Sequence, residues 1–190
     1  TAEVIAKADR LKVIGRAGVG LDNVDAEAAT KRGVIVMNVP AGNTISTAEH
    51  TMSMLLALAR RIPQADAHLR AGLWERSKFV GTELFGKTLG VVGLGKIGSE
   101  VAKRAQAFGL RIIAYDPFLS SERAQQLEMQ FVDLAQLYAE SDFITFHTPL
   151  TDETKHMVGA KELAQMKPGV RLINCARGGI LDERALHQAI

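Results

Sequence analysis

The sequence predicts an α/β fold, a doubly wound parallel sheet with part of a second, smaller domain, and three observations carry that prediction. Short β-branched apolar runs alternate with longer segments of helical periodicity, the pattern of a parallel sheet covered by helices on both faces. A glycine-rich turn, Gly93 to Gly98, joins one such run to one such helix. Glycine and proline cluster at Pro40-Ala41-Gly42-Asn43, which sets a boundary between a small strand-helix-strand piece, residues 1–40, and a larger alternating unit, residues 41–190.

Taken in order, the first helical pattern covers Thr1 to Ala8 and feeds a strand at Lys12 to Gly15. A helix at Asp25 to Lys31 and a strand at Val34 to Asn38 complete the small piece. The next helix, Thr44 to Arg61, is apolar on nearly all sides, with Met52, Met54, Leu55, Leu56 and Leu58, so burial on more than one side is expected. Ser46-Thr47-Ala48-Glu49 near its start has the form of a capping box. Pro63 breaks the pattern near Ile62, because proline lacks the ladder N–H and disfavours helix at the residue before it. A second helix then runs from Pro63 to Arg70, and Ala71 to Phe79 reads as a loop carrying Trp74, Arg76 and Lys78. Strands follow at Thr88 to Gly93, Arg111 to Tyr115, Asp142 to His147 and Arg171 to Cys175. Helices are expected at Lys96 to Phe108, Ser121 to Leu127, Asp133 to Ala139 and Ala160 to Met166, with the opening turns of another from Glu183. There is no internal repeat and no low-complexity segment.

Composition narrows the function classes. The 190 residues are 47% apolar and 23% charged, which excludes disorder and collagen. A formal charge of +2, without a basic tail, gives no argument for nucleic acid or for an anionic membrane. No apolar run approaches the roughly 20 residues that a membrane-spanning helix needs. One cysteine, Cys175, excludes an internal disulfide framework and makes a cytoplasmic setting the default expectation. The first residue is Thr1 and the last helical pattern has no stop signal, so the chain reads as a piece of a longer protein.

Gly93-Leu94-Gly95-Lys96-Ile97-Gly98 fits G-x-G-x-x-G. Alone the motif is weak, but here it follows a strand and opens a helix whose Ile97, Val101, Ala105 and Phe108 share one face. In that context Gly93 allows the tight turn, Gly95 lets the backbone approach a pyrophosphate, and Gly98 lets the helix pack close to the strand. N–H groups at the helix start then face the phosphates. The next strand ends at Asp116, 18 residues after Gly98, where an acid takes ribose hydroxyls and repels a 2′-phosphate. The cofactor expected is therefore NAD rather than NADP, on a Rossmann-type domain.

Ligands of such sheets lie beyond the carboxyl ends of the strands. Arg177, followed by Gly178 and Gly179 after the last strand, offers a planar fork to a carboxylate with space beside it. His147 ends an apolar strand and reads as a hydrogen-bonded structural residue. His50, His68, His147, His156 and His187 show no H-E-x-x-H and no paired spacing, so no metal is expected. The apolar strand around Cys175 suggests a buried thiol. Arg16 with Gly18 and Gly20, after the first strand, suits an anion or a plain turn equally.

Four blocks together resemble the D-isomer-specific 2-hydroxyacid dehydrogenases: Gly15 to Asp25, Trp74-Glu75-Arg76, Gly93 to Gly98, and Asn174-Cys175-Ala176-Arg177-Gly178-Gly179. The resemblance covers essentially the whole chain. It implies a two-domain subunit with the active site in the cleft, residues 1–40 belonging to the substrate domain, and dimerisation through the NAD-binding domain. Arg177 matches the family's catalytic arginine, which binds the substrate carboxylate and polarises the carbonyl. Arg16, Gly18 and Val19 match a loop that meets the substrate's anionic groups. Lys96, Ile97, Asp116, Thr148, Cys175, Ala176 and Arg177 itself match positions lining the cofactor, and Arg76 matches a cation that reaches the partner subunit's cleft. The family's catalytic histidine and its orienting glutamate are expected beyond Ile190. The implied substrate is a small anionic D-2-hydroxy or 2-keto acid, 3-phosphoglycerate foremost, in L-serine synthesis.

Three readings compete. Glyoxylate, hydroxypyruvate or D-lactate relatives share the cofactor half, so the acid could be one of theirs. A catalytically silent dinucleotide-binding module lacks any downstream acid. A methyltransferase using S-adenosylmethionine also puts an acid at the second strand end, but the Arg177 block argues against it.

Overall fold

The computed structural model describes residues 1–119 and 129–190. The helix expected at Ser121 to Leu127 lies outside the described residues. The chain divides into two compact units, Thr1–Thr44 and Ile45–Ile190.

In the first unit, strands β1 (Val13–Gly15) and β2 (Ile35–Met37) pair in parallel, with Ile14 opposite Val36. Helices α1 (Ala2–Lys7) and α2 (Ala26–Lys31) accompany them. Alternation along the strands turns Ile14 and Val36 towards a small core of Ile5, Ala29 and Val34. Asp25 caps α2, its Oδ1 accepting the Ala28 N–H at 2.9 Å.

The second unit opens with α3 (Thr44–Arg60) and α4 (Ile62–Arg70). The break falls at Arg61, which is left-handed at φ 53°, and Pro63 takes a first-turn position of α4 where its missing N–H costs nothing. Two expectations fail in α3. Ser46 and Glu49 lie inside the helix, which starts at Thr44, so they form no capping box; Glu49 instead offers its main-chain oxygen to the Ser53 hydroxyl. Burial is also one-sided: Ala48, Thr51, Met52, Leu55 and Ala59 are buried, while Met54 and Leu58 are 49% and 45% exposed. The loop after α4 contains a short 3-10 turn, Arg76–Phe79.

The sheet of this unit has the order β5-β4-β3-β6-β7, all parallel, with β3 (Thr88–Val92) at its centre. The others are β4 (Arg111–Tyr115), β5 (Gln130–Phe131), β6 (Phe143–Phe146) and β7 (Arg171–Asn174). Every residue of β3 and β6 is buried, as a sheet covered on both faces requires. Leu89, Val91, Ile112, Ala114, Phe143 and Ile173 join α3 and α5 (Lys96–Ala107) in one core. Val92, Ile113, Ile144 and Phe146 face the other way, against Leu137, Tyr138, Val158 and Ile180. Helices at Leu134–Glu140, Ala160–Leu163 and Glu183–Ala189 complete the unit. The third of these begins where Asp182 accepts the Arg184 and Ala185 N–H groups.

Candidate cofactor and substrate site

The register of the sheet aligns its functional ends. Tyr115, Val92, Phe146 and Asn174 are partners in one row across four strands. The residues that follow them, Asp116, Gly93, His147 and Cys175, therefore leave the sheet side by side. The chain crosses from β5 at one edge to β6 beyond β3, so the strand order reverses between β3 and β6. In doubly wound sheets, ligands bind at the carboxyl ends where the strand order reverses in this way.

Gly93 makes the turn out of β3 with φ +91°, a conformation that L side chains resist. Its N–H donates to the Tyr115 carbonyl oxygen at 2.8 Å. A Cβ on Gly98 would collide with the Gly93 carbonyl oxygen, so α5 packs against the turn only because residue 98 is glycine. At Gly95 the same construction meets nothing within 4 Å, leaving the helix start open on its outer side. Lys96 is exposed there, while Ile97 packs partly buried against the core, so its side chain supports the turn.

Asp116 is half-buried and bound on both oxygens. Oδ2 accepts the Leu94 N–H at 2.8 Å and Oδ1 accepts the Phe118 N–H at 2.9 Å. The second bond is an ordinary turn contact before and after Pro117; the first reaches back into the glycine turn and fixes the carboxylate against it. Leu94 as the donor is not legible in the sequence, because it depends on two strand ends meeting.

On the other side of β3, the His147 N–H donates to the Val92 carbonyl oxygen at 2.8 Å. His147 Nε2 lies 3.0 Å from Thr145 Oγ1. Burial disfavours the charged ring and pulls the His147 pKa down from 6.5 to about 4, which keeps the imidazole neutral at pH 7. Next to it, the Thr148 hydroxyl is buried and has no hydrogen-bond partner among the described residues, although its methyl group faces Gly93. A buried hydroxyl beside a glycine turn at a helix start is suited to a ligand hydrogen bond.

Beyond β7, Ala176 is partly buried and Arg177 half-buried, with Arg177 Nη1 donating to the Ala176 carbonyl oxygen at 2.8 Å. Cys175 is half-buried rather than sealed in the core; it borders a groove of about 210 Å³ beside Met54 and Leu58. The strand ends one residue earlier than its apolar pattern suggests, and this brings the thiol to the sheet margin.

Two further groups were expected to contribute. In the first unit, Arg16 Nε donates to Asn23 Oδ1 at 3.1 Å, and its guanidinium folds over Gly18. The Gly18 carbonyl oxygen accepts the Val39 N–H, and the Val19 carbonyl oxygen accepts from Asn38 Nδ2 at 2.7 Å. The loop is thus folded on itself and tied to the end of β2. In the second unit, Arg76 lines an open groove of about 1030 Å³ with His68, Leu69, Leu73, Trp74 and Val80. Trp74 is 74% exposed and Val80 77%. Among the described residues no group of three or more His, Cys, Asp or Glu side chains could hold a metal ion, and no helix is long and apolar enough to cross a membrane.

The glycine turn, the anchored acid and the unpaired Thr148 hydroxyl fit a dinucleotide, and comparison with known proteins identifies which. Residues 52–190 match the family model described as the D-isomer specific 2-hydroxyacid dehydrogenase, NAD binding domain. The D-3-phosphoglycerate dehydrogenase of Archaeoglobus fulgidus is 57% identical over 189 residues, all of this chain and 36% of that protein. That of Synechocystis is 55% identical over 190 residues, all of this chain and 34% of that protein. The present chain spans about a third of the length of these relatives. Among solved structures, the D-lactate dehydrogenase of Aquifex aeolicus complexed with NAD and lactic acid superposes with a TM-score of 0.89 at 37% identity, over all of this chain and 57% of that one. A match over most of its length leaves one conclusion: the chain belongs to the D-isomer specific 2-hydroxyacid dehydrogenases, and its residues 52–190 are that family's NAD-binding domain.

Proposed function

We propose that the protein containing this chain is an NAD-dependent oxidoreductase that interconverts 3-phosphoglycerate and 3-phosphohydroxypyruvate, a step of L-serine synthesis in the cytoplasm. The observation that carries the reading is the Arg177 loop, which leaves β7 two strands from the glycine turn on the same edge of the sheet. The choice of substrate is supported by the D-3-phosphoglycerate dehydrogenase relatives, 53–57% identical across the chain.

In this reading the N–H groups opening α5 receive the pyrophosphate of NAD, and Gly95 leaves room for it. Asp116, already oriented by Leu94 N–H, accepts from the ribose hydroxyls with its remaining lone pairs. Thr148 supplies its unpaired hydroxyl, and Cys175 and Ala176 line the nicotinamide end. Bound NAD supplies the hydride acceptor for the oxidation direction. Arg177 pairs its fork with the substrate carboxylate and draws charge from the neighbouring carbonyl oxygen, which stabilises the developing alkoxide in the reduction direction. Arg16, Gly18 and Val19 meet the substrate's anionic groups from the smaller domain, to which residues 1–40 belong. A proton must be exchanged at the alkoxide oxygen by a group titrating near neutrality. His147 is unsuited, since its pKa near 4 leaves it without a proton to give at pH 7. The resemblance assigns the role to a histidine downstream of Ile190.

A homodimer built through the NAD-binding domain fits the exposed Trp74, Leu73 and Val80, with Arg76 reaching the partner's cleft. The test of the whole reading is steady-state NADH oxidation by the full-length protein with 3-phosphohydroxypyruvate, pyruvate and glyoxylate as rival acceptors. The expected preference is for the phosphorylated acid; equal or better efficiency with pyruvate would move the assignment to a lactate-type enzyme. Arg177→Lys keeps the charge and loses the planar fork, so kcat/KM should fall by about 3 kcal/mol in ΔΔG‡.

A further inference from the structure

We propose that Asn174 is the positioning residue that holds Arg177 in its carboxylate-binding pose, an inference that rests on the reading of Arg177 given above. Asn174 is the last residue of β7, paired in register with Phe146, so its main chain belongs to the rigid sheet. Its side chain bridges the loop that follows. Oδ1 accepts the Ala176 N–H at 3.1 Å and Nδ2 donates to the Arg177 carbonyl oxygen at 2.8 Å. One partner is an N–H and the other a carbonyl, so an amide satisfies both in one orientation only. A carboxylate would have no proton for the Arg177 oxygen, and a hydroxyl or methyl would be too short to span both.

The far side of the loop is pinned separately. The His156 N–H donates to the Gly179 carbonyl oxygen at 2.7 Å, and the Asp182 N–H donates to the Val158 carbonyl oxygen at 2.9 Å. Residues 175–179 are therefore a short span between two fixed posts, and the Asn174 amide is the post that holds the Arg177 main chain. A glycine pair after Arg177, with Gly179 at φ +81°, would otherwise leave its backbone free to rotate. The amide thus fixes the Arg177 backbone, and the Nη1 bond to the Ala176 carbonyl oxygen sets how the guanidinium leaves the loop, which is how a site element on a loop is made precise.

The glycine turn lies on β3 and α5 and, among the described residues, shares no hydrogen bond with the Asn174 amide, whose contact on the cofactor side is the Ala176 N–H alone. In the full-length protein, Asn174→Ala and Asn174→Asp should raise KM for 3-phosphohydroxypyruvate about tenfold, as expected for losing one or two interior hydrogen bonds. NADH affinity, read by fluorescence titration, should change by less than the KM, since the glycine turn and Asp116 keep their own hydrogen bonds and only the Ala176 contact is lost. Asn174→Asp is nearly isosteric and keeps the acceptor, so it reports where the alanine variant does not accumulate as folded protein. An unchanged KM with a uniformly lower kcat is the signature of partial unfolding and would overturn the positioning role. So would normal kinetics in Asn174→Asp, since the donor half would then be dispensable. Arg177→Ala is assayed alongside: if it retains parental kcat/KM, the carboxylate reading itself is lost, whereas a crippled Arg177→Ala beside a normal Asn174→Asp rejects the present inference alone.

Discussion

At the scale of single residues, Asp116 and His147 stand on either side of the glycine turn and make opposite electrostatic demands. On the proposed reading, Asp116→Ala removes both a ribose acceptor and the charge that repels a 2′-phosphate, so NAD should bind more weakly and its advantage over NADP should narrow. Paired fluorescence titrations of NADH and NADPH check this, and an unaltered ratio counts against Asp116. The same substitution frees the Leu94 N–H, so some loss of turn order accompanies it. His147 gives a pH prediction with a definite sign. Its folded pKa is about 4 against an ordinary 6.5, so between those values the unfolded chain binds more protons than the folded one. Stability must then fall as pH drops from 6.5 to 4, by about 3 kcal/mol from this residue, and flatten below. Denaturant titrations of the parent and His147→Gln across that range should show a shallower acid limb in the variant. The acid at the second strand end was legible because spacing and residue type agree. The state of His147 was legible only as a structural role, since its desolvation comes from neighbours distant in sequence.

Among elements, the contact of α5 with the end of β3 leaves no room for a side chain at residue 98. Gly98→Ala would drive a methyl group into the Gly93 carbonyl oxygen, so either α5 shifts outward or the turn opens. The expected cost is about 1–3 kcal/mol of stability together with a marked loss of NADH affinity. Thermal unfolding and a binding titration on one sample measure both, and a variant with normal affinity would show that the N–H groups of the helix start do not hold the phosphates. Elements with a full period of pattern were legible: β3, β4, β6 and β7 each begin at or within one residue of the apolar run that predicts them. β5 was not, because two residues cannot display an alternation. The capping-box reading at Ser46 failed for a related reason. Thr44 and Ile45 already continue the helical pattern, and a capping motif embedded in a helix keeps its composition while losing its position.

For the molecule as a whole, the exposed side chains of residues 69–80 carry the oligomer proposal. Trp74→Ser combined with Val80→Asp should shift the full-length protein towards half its parental mass in sedimentation equilibrium. A partial loss of activity should accompany the shift if Arg76 serves the partner's cleft; dissociation without any kinetic change would deny Arg76 that role. The doubly wound order of the sheet was legible because parallel strands buried on both faces impose continuous apolar runs. The bonds that organise its edge were not. Leu94 to Asp116, Asn174 to Arg177 and His156 to Gly179 each join residues whose pairing depends on which strands become neighbours or how a turn closes.

The aligned strand ends also act as a ruler. Adjacent strands lie about 4.8 Å apart, so the three intervals from Asp116 through Gly93 and His147 to Cys175 measure about 14 Å. A lone nucleoside monophosphate is too short to touch both extremes. It would occupy the Asp116 end and leave the Arg177 end accessible, so AMP should displace NADH competitively while a small 2-keto acid binds undisturbed. Only a molecule with recognisable groups at both ends of that distance can engage the whole edge, and the sheet thereby selects for ligand length before any side chain selects for chemistry.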